Sequence, residues 1–253
     1  MKHLINKAPL ILLLALSISC KDGGGGSSSS SKPDFKKTFD SFKKTKTFNK
    51  TIVIKKSGTY DFKNVLHKWT GSGKCIQREN QTQCLRIEAD NVTVKNLAIK
   101  GNCGDVIHIS NSSRGQGNYG NGPKNVTIDN LTAHACEDLL TTGKGVKNFT
   151  LKNSTLFGNP NSSQRDKIVQ LNFGDNIKIQ NNKFVDSIRC LRIKPRVKVS
   201  ATGNSFFNCK QPILASATDA DVQNMRNGKP SIKESGNKFY GGGKNGVQKK
   251  DYN

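Results

Sequence analysis

Stretches of alternating apolar and polar residues, each closed by an asparagine, recur along the chain. The clearest copies are Asn91-Val-Thr-Val-Lys-Asn96, Asn125-Val-Thr-Ile-Asp-Asn130, Asn148-Phe-Thr-Leu-Lys-Asn153 and Asn176-Ile-Lys-Ile-Gln-Asn181. Alternation with a period of two predicts strands that bury one face. Asparagine tolerates the left-handed backbone of a tight turn, so each strand is predicted to end where its asparagine stands.

The copies return at intervals of about 20 to 35 residues, which is the spacing of solenoid repeats. We therefore predict an all-β fold, a right-handed parallel β-helix, with stacked asparagine side chains forming a hydrogen-bonded ladder along its axis. A β-sandwich is the alternative, but its strands need not share one asparagine-terminated template. Residues Pro33 to Lys50 are predicted to wrap or cap the first coil, and the tail from Gly241 is predicted to be loose.

The N-terminal residues have the pattern of a signal peptide. A basic start, an apolar run from Leu10 to Ile18 and a small-residue end predict export, and the run is short for a membrane span. Cys20 resembles the acylated cysteine of bacterial lipoproteins, with ordinary cleavage as the alternative. We predict a signal peptide over residues 1–20, a Gly/Ser-rich linker over 21–32 and the β-helix domain over 33–253.

The predicted location follows from that leader. The protein would be secreted, or lipid-anchored at the bacterial cell surface or outer membrane, and the anchor would be its membrane contact. The chain carries 41 Lys and Arg residues against 18 Asp and Glu residues, a formal net charge of +23. Such an excess concentrates polyanions at the surface. Nucleic acid is not the expected partner of an exported chain in which no nucleic-acid motif is recognised. The sequence thus favours an acidic polysaccharide, bound by a protein that we expect to be a monomer.

Six cysteines follow Cys20, and an even number predicts disulfides in an exported protein. Neither a Cys-x-x-Cys pair nor a Cys/His cluster predicts a zinc site. The predicted pairs join nearby or successive repeats and are Cys75–Cys84, Cys103–Cys136 and Cys190–Cys209.

Four segments that carry acids and bases follow one another in the chain. They are DVIH from Asp105, EDLLT from Glu137, DKIVQLN from Asp166 and DSIRCLR from Asp186. In order and approximate spacing they resemble DGVH, EDALT, DKVFQxN and DxGKxxR of the small calcium-dependent pectate lyases of polysaccharide lyase family 3. The resemblance covers about Tyr60 to Asn208. The chain departs from that pattern where valine follows Asp105 and where Ile188-Arg189 replaces Gly-Lys.

The resemblance implies β-elimination of polygalacturonate, the de-esterified backbone of pectin. Elimination removes the C5 proton and expels the C4 oxygen, once the neighbouring carboxylate is neutralised. A hard divalent cation on carboxylate oxygens would neutralise it, and Asp105, Glu137 and Asp138 match the calcium ligands of the family. Adjacent strand residues point to opposite faces, so Glu137 and Asp138 converge only if a turn or bulge intervenes.

The same resemblance gives the basic residues their roles. Lys167 is the first candidate base, because a partly buried lysine among other cations gives up its proton more readily. Arg192 is a second candidate base or a bidentate carboxylate clamp. Arg189 is a catalytic candidate and a clamp, and Lys194 is a further substrate contact. Which of the three candidates is the base stays open, and His108 is interpreted as a structural histidine.

Two other functions fit parts of the sequence. A catalytically inactive β-helix would hold acidic polysaccharides by charge alone, and the departures at Arg189 and Val106 favour it. A hydrolase of the polygalacturonase type would explain Arg192-Ile193-Lys194. Hydrolysis needs two carboxylates placed across the scissile bond, and the corresponding motifs do not occur in the sequence.

Overall fold

The computed structural model describes residues 31–71, 83–101, 105–110, 122–135, 138–143, 145–159, 161, 167–172, 174–217, 228–243 and 245–250. All of them except Ser31 belong to the compact unit Lys32–Asn253. Within these ranges no helix is long and apolar enough to cross a membrane. The elements are α1 Phe35–Asp40, β1 Thr45–Phe48, β2 Ile52–Ile54, β3 Gly58–Asp61, β4 Leu66–Trp69, β5 Gln83–Ile87, β6 Val92–Lys95, β7 Ala98–Lys100, β8 Asp105–Ile109, β9 Val126–Asp129, β10 Thr132–His134, β11 Asp138–Thr142, β12 Thr150–Lys152, β13 Thr155–Phe157, β14 Lys167–Leu171, β15 Ile177–Gln180, β16 Lys183–Ile193, β17 Lys198–Thr202, β18 Ser205–Ser216, β19 Ser231–Ser235, β20 Lys238–Gly242 and β21 Val247–Lys250.

The strands stack in parallel around one core as a 14-stranded and a 7-stranded sheet, which confirms the predicted right-handed parallel β-helix. The larger sheet has two parts, called sheets 1 and 2, and the 7-stranded sheet is called sheet 3. Sheet 1 is β1-β4-β7-β10-β13-β16-β18-β20, sheet 2 is β2-β5-β8-β11-β14-β16-β18-β21, and sheet 3 is β3-β6-β9-β12-β15-β17-β19. The long strands β16 and β18 serve sheets 1 and 2 in turn, because the chain bends between their first and second halves without leaving the ladder.

Asparagines turn the chain at both ends of four sheet 3 strands, β6, β9, β12 and β15. Asn91 and Asn96 flank β6 with φ of 55° and 53°. Asn125 Nδ2 donates to Asn91 Oδ1 at 2.8 Å, and Asn148 Nδ2 donates to Asn125 Oδ1 at 2.7 Å. Asparagine adopts this left-handed backbone because its short polar side chain bonds locally. The predicted ladder is therefore confirmed, and it fixes the stacking of successive coils.

The core between the sheets consists of apolar side chains stacked coil upon coil. Phe184 stacks on Phe206 with ring centroids 4.9 Å apart, and Phe206 stacks on Phe239 at 5.2 Å. Phe149 and Leu131 are fully buried in the same core. Each such side chain stabilises the fold by about 1.5–3 kcal/mol relative to an exposed one.

Helix α1 packs on the outer face of sheet 1. Its first residue, Phe35, lies with its ring centroid 4.8 Å from His134 and 5.4 Å from Phe157. Phe39 joins the same cluster and is 5% exposed. The prediction that this segment wraps the first coil holds for β1, which pairs with β4. It is wrong for α1, because the apolar outer face of later coils gives the phenylalanines more surface to bury.

The predicted loose tail from Gly241 is wrong. Strand β20 pairs with the first half of β18, and β21 pairs with the second half. The ladder of β18 would otherwise end unpaired at the edge of the helix, and these two strands continue it.

One predicted disulfide is confirmed. Cys190 and Cys209 are bonded, with their Cα atoms 5.9 Å apart, and they join β16 to β18. Cys84 is also disulfide-bonded. The other cysteines named in the predictions lie outside the described ranges: Cys20, Cys75, Cys103 and Cys136. The predicted signal peptide and most of the predicted linker lie outside them as well.

Candidate active site

The sheet 2 strands share a five-residue pattern that breaks strict alternation. Its second and third residues are both buried, as Val106-Ile107 and Leu139-Leu140 are in the core cluster. Its first and fourth residues consequently lie on the same outer side, an arrangement that a local bulge permits. The segments are QCLRI from Gln83, DVIHI from Asp105, DLLTT from Asp138, KIVQL from Lys167, RCLRI from Arg189 and QPILA from Gln211.

The parallel register aligns the first residues of these segments in one row along the axis. Neighbouring strands lie about 4.8 Å apart, so a row over six strands is about 24 Å long. Acidic residues stand towards one end and basic residues towards the other. The row is, in order, Gln83, Asp105, Asp138, Lys167, Arg189 and Gln211.

The fourth residues form a second row beside the first. This row is polar over most of its length, and several members are buried despite their polarity. Polar groups in such a place need partners, so their hydrogen bonds show what the face is arranged to hold. The row is Arg86, His108, Thr141, Gln170, Arg192 and Leu214.

Asp105 is held by donors on both oxygens. His108 Nδ1 lies 2.9 Å from Asp105 Oδ2, and Thr141 Oγ1 donates to Asp105 Oδ1 at 3.1 Å. The three side chains are at most 5% exposed. Each carboxylate oxygen has two lone pairs, so each keeps one that these donors do not use. The carboxylate is thus fixed in orientation and can still accept a further contact.

Asp138 is buried beside a cation. Lys167 Nζ donates to Asp138 Oδ2 at 3.0 Å, and the Asp138 side chain is 6% exposed. Burial raises the pKa of Asp138 to about 6, against the opposing charge of Lys167 and with a further rise from Asp105. In the part of the chain that the structure describes, Asp138 Oδ1 is buried without a hydrogen-bond partner. A buried acceptor left in this way favours a cation or a donor from a ligand.

Glutamines from neighbouring coils orient the two arginines. Arg189 Nε donates to Gln211 Oε1 at 3.2 Å, and Arg192 Nη1 donates to Gln170 Oε1 at 3.3 Å. A guanidinium carries five N–H donors in a rigid fork, so a hydrogen bond at one edge sets the direction of the whole group. Lys194 follows β16, two residues beyond Arg192, and is 6% exposed.

The structure brings five of the predicted site residues onto the outer face of sheet 2. Glu137 lies outside the described residues, and among those described no group of three His, Cys, Asp or Glu side chains forms a metal cluster. The environment of Lys167 differs from the expected cationic one, because its register neighbours are an acid and an arginine. The five residues are Asp105, Asp138, Lys167, Arg189 and Arg192.

The described donors fit part of a calcium site. Calcium takes about six to eight oxygen ligands, mostly from carboxylates, carbonyls and water. Asp105 and Asp138 are register neighbours, and their like charges repel each other. Asp138 Oδ1, which has no hydrogen-bond partner among the described residues, can act as an oxygen ligand to a metal. A divalent cation between them would relieve that repulsion, so the pair suits this group of metals.

Five further polar residues of the two rows were not identified from the sequence: Gln83, Arg86, Thr141, Gln170 and Gln211. Each occupies the first or fourth place of the five-residue pattern. Aligning the sheet 2 segments by their paired apolar residues would have found them. Comparison with protein-family models and with curated proteins gives no match for this chain.

Proposed function

We propose that this protein is a pectate lyase, which cleaves polygalacturonate by calcium-dependent β-elimination and releases unsaturated oligogalacturonides. The observation that carries the proposal is the register of Asp138, Lys167 and Arg189 on successive coils of one outer face. A row of about 24 Å accommodates an extended linear polymer better than a small molecule. Its acids and bases lie in adjacent places, as the reaction requires.

Substrate binding is proposed to rest on the basic part of the face. Arg189 and Arg192 would pair with the carboxylates of the polymer, because bidentate pairing of a guanidinium with a planar carboxylate is strong and directional. Because Gln211 and Gln170 orient them, less side-chain freedom is lost when the polymer binds. Lys194 is proposed to add a further contact beyond Arg192.

Proton transfer is proposed to fall to Lys167. Its neutral amine would accept the C5 proton, the C5–H electron pair would form the C4–C5 double bond, and the C4–O bond would break with the oxygen as leaving group. Lys167 Nζ must first part from Asp138, since it donates to that carboxylate in the present structure. Calcium held by Asp105 and Asp138 would supply neutralisation of the substrate carboxylate.

A non-catalytic role is the second candidate. Lys167, the proposed base, is engaged in an ion pair with Asp138. Arg189 stands where the pectate lyase motif has a lysine. Under this alternative the face binds polygalacturonate through Arg189 and Arg192 without cleaving it. In either case we propose an exported protein, secreted or held at the cell surface by a lipid on Cys20.

The test is the ultraviolet absorbance of unsaturated uronide released from polygalacturonate by the full chain at alkaline pH. We expect absorbance to rise with calcium and to stay flat with chelator, because elimination creates a conjugated double bond. A flat trace in calcium from folded protein that still binds the polymer would refute the lyase and leave the binding role.

A further inference from the structure

His108 was interpreted from the sequence as a structural histidine, but in the structure it contacts a carboxylate of the candidate site. It is 4% exposed, and its Nδ1 faces Asp105 Oδ2 at 2.9 Å. Behind it, Gln83 Nε2 lies 3.0 Å from the same Nδ1, and Gln83 Oε1 is buried without a hydrogen-bond partner among the described residues. Gln83 is 3% exposed, so two buried polar residues converge on one edge of the ring.

The chemistry of these contacts fixes the histidine tautomer. An ionised carboxylate only accepts hydrogen bonds, so Nδ1 must carry the hydrogen that Asp105 receives. Two donors cannot face each other, so we infer that the Gln83 amide is turned over and that its oxygen, now without a partner, accepts from the same N–H. Nδ1 of His108 thereby donates towards Asp105, with Gln83 limiting rotation of the ring.

Among the described side chains, His134 offers a comparison. Its ring packs 4.8 Å from Phe35 on the outer face of sheet 1, and burial is the main cause that lowers its pKa. His134 therefore serves packing, whereas His108 is linked to a carboxylate of the candidate site.

We propose that His108, supported by Gln83, is a positioning residue that orients Asp105 for a divalent cation. The inference rests on the calcium site of the proposed function. Partners that hydrogen-bond a metal-ligating carboxylate fix its direction, and their loss lowers metal affinity by about 10- to 100-fold. Thr141 holds the other oxygen of Asp105, so the carboxylate is oriented from two sides.

The experiment compares three substitutions of His108 by their calcium dissociation constant, measured calorimetrically on the full chain without substrate. His108→Asn keeps an amide N–H near the place of Nδ1. His108→Gln moves the amide beyond that place, and His108→Ala removes the donor. We expect the asparagine variant to stay within about threefold of the wild type, and the other two to weaken binding about 10- to 100-fold.

Controls separate positioning from general stability. His134→Asn, a matched change on sheet 1, should leave the calcium dissociation constant unchanged. Circular dichroism should show every variant folded at the temperature of measurement, and His108→Ala carries the comparison if His108→Gln fails to fold. Equal affinities in all variants, or equal losses in the asparagine and alanine variants, would overturn the positioning role. A wild type that binds no calcium would instead overturn the calcium site of the proposed function, and this inference with it.

Discussion

Sheets 1 and 2 share the strands β16 and β18, yet the outer face of sheet 1 is apolar and that of sheet 2 is polar. On sheet 1, Phe157 and Phe207 form an apolar cluster that α1 covers. His134 lies within this surface, where burial, helped by the charge of Lys100, lowers its pKa to about 4. On sheet 2, the corresponding outer positions carry carboxylates, amides and cations, and burial raises the pKa of Asp138 to about 6.

The backbone is therefore not what distinguishes the two faces. Both are parallel ladders of the same coils, and both exclude water from titratable groups. An apolar cover converts the outer face of sheet 1 into a second small core, which stabilises the fold. The polar rows of sheet 2 leave buried atoms such as Asp138 Oδ1 without a partner among the described residues, a cost that a binding or catalytic site explains.

The largest effect is expected for the candidate base. Lys167→Met should lower the rate of uronide release about 10²- to 10⁴-fold, because a positioned base contributes about that much. The initial rate with calcium is the measurement, and Lys95→Met, which removes an exposed lysine from sheet 3, is the matched control. A Lys167→Met variant with wild-type activity would remove Lys167 from the mechanism.

A change on sheet 1 should affect stability and leave the chemistry alone. Phe39→Ala deletes a ring that is 5% exposed and lies 5.8 Å from Phe157. We expect the free energy of unfolding to fall by about 3–5 kcal/mol, as for other buried phenylalanines. Urea unfolding measures the loss. Activity of the folded fraction should equal that of the wild type, and a lower value would show that the two faces are coupled.

Asp138 and His134, whose pKa values burial shifts in opposite directions, should give opposite pH dependence. The pKa of Asp138 is raised from 3.8 to about 6, so the folded state holds this proton more tightly than the unfolded state. Stability of the metal-free protein should therefore fall as pH rises from about 4 to about 6, by about 3 kcal/mol. Asp138→Asn should abolish this contribution in urea unfolding with chelator. An unchanged slope in that variant would contradict the assignment.

His134 should act in the other direction. Its pKa is lowered from 6.5 to about 4, so the unfolded state takes up this proton first. The stability contribution of the neutral ring is present above about pH 6.5 and should be lost as pH falls towards 4, by about 3 kcal/mol. Comparing His134→Asn with the wild type over this range isolates the contribution. Parallel stability profiles would show that the buried ring plays no part.

The smallest effect is expected in the asparagine ladder, which stacks the coils that carry both outer faces. Asn148 has φ of 54°, donates to Asn125 and accepts from Asn176. Asn148→Gly removes these bonds and keeps the backbone unstrained, for a loss of about 1 kcal/mol. Asn148→Ala adds the strain of a left-handed residue, about 1 kcal/mol more. Thermal unfolding of both variants gives the difference, and equal losses would mean that the turn carries no such strain.

The sequence predicted the coil architecture because the asparagine positions are local requirements of the backbone. Asn91 and Asn96 must take left-handed geometry wherever the strand between them lies. The position of α1 could not be predicted in this way, because it depends on an apolar outer face formed by Phe157 and Phe207 from distant coils. The strands of the tail were missed because their partner, β18, supplies the ordering.

The sequence analysis named acidic and basic residues of the candidate site and did not name its glutamines. Asp105 and Lys167 stand in segments that resemble known motifs. Gln170 and Gln211 carry no chemical signature alone, and their role appears only when the register places them beside arginines. In the five-residue pattern of sheet 2, two buried apolar residues separate the first and fourth positions. Strict alternation assigns those two positions to opposite faces, so the pattern alone did not predict that they lie side by side.

The most direct test of the central claim is the mass of the products that the full chain releases from a defined oligogalacturonide in calcium. Elimination adds no water, so the product masses must sum to the mass of the substrate, and one product must be unsaturated. The proposed mechanism predicts that result for the wild type and intact substrate for Lys167→Met. Products whose summed mass exceeds the substrate by one water would show hydrolysis, and an intact substrate with the wild type would show that the protein does not cleave it. Either result would contradict a lyase on sheet 2.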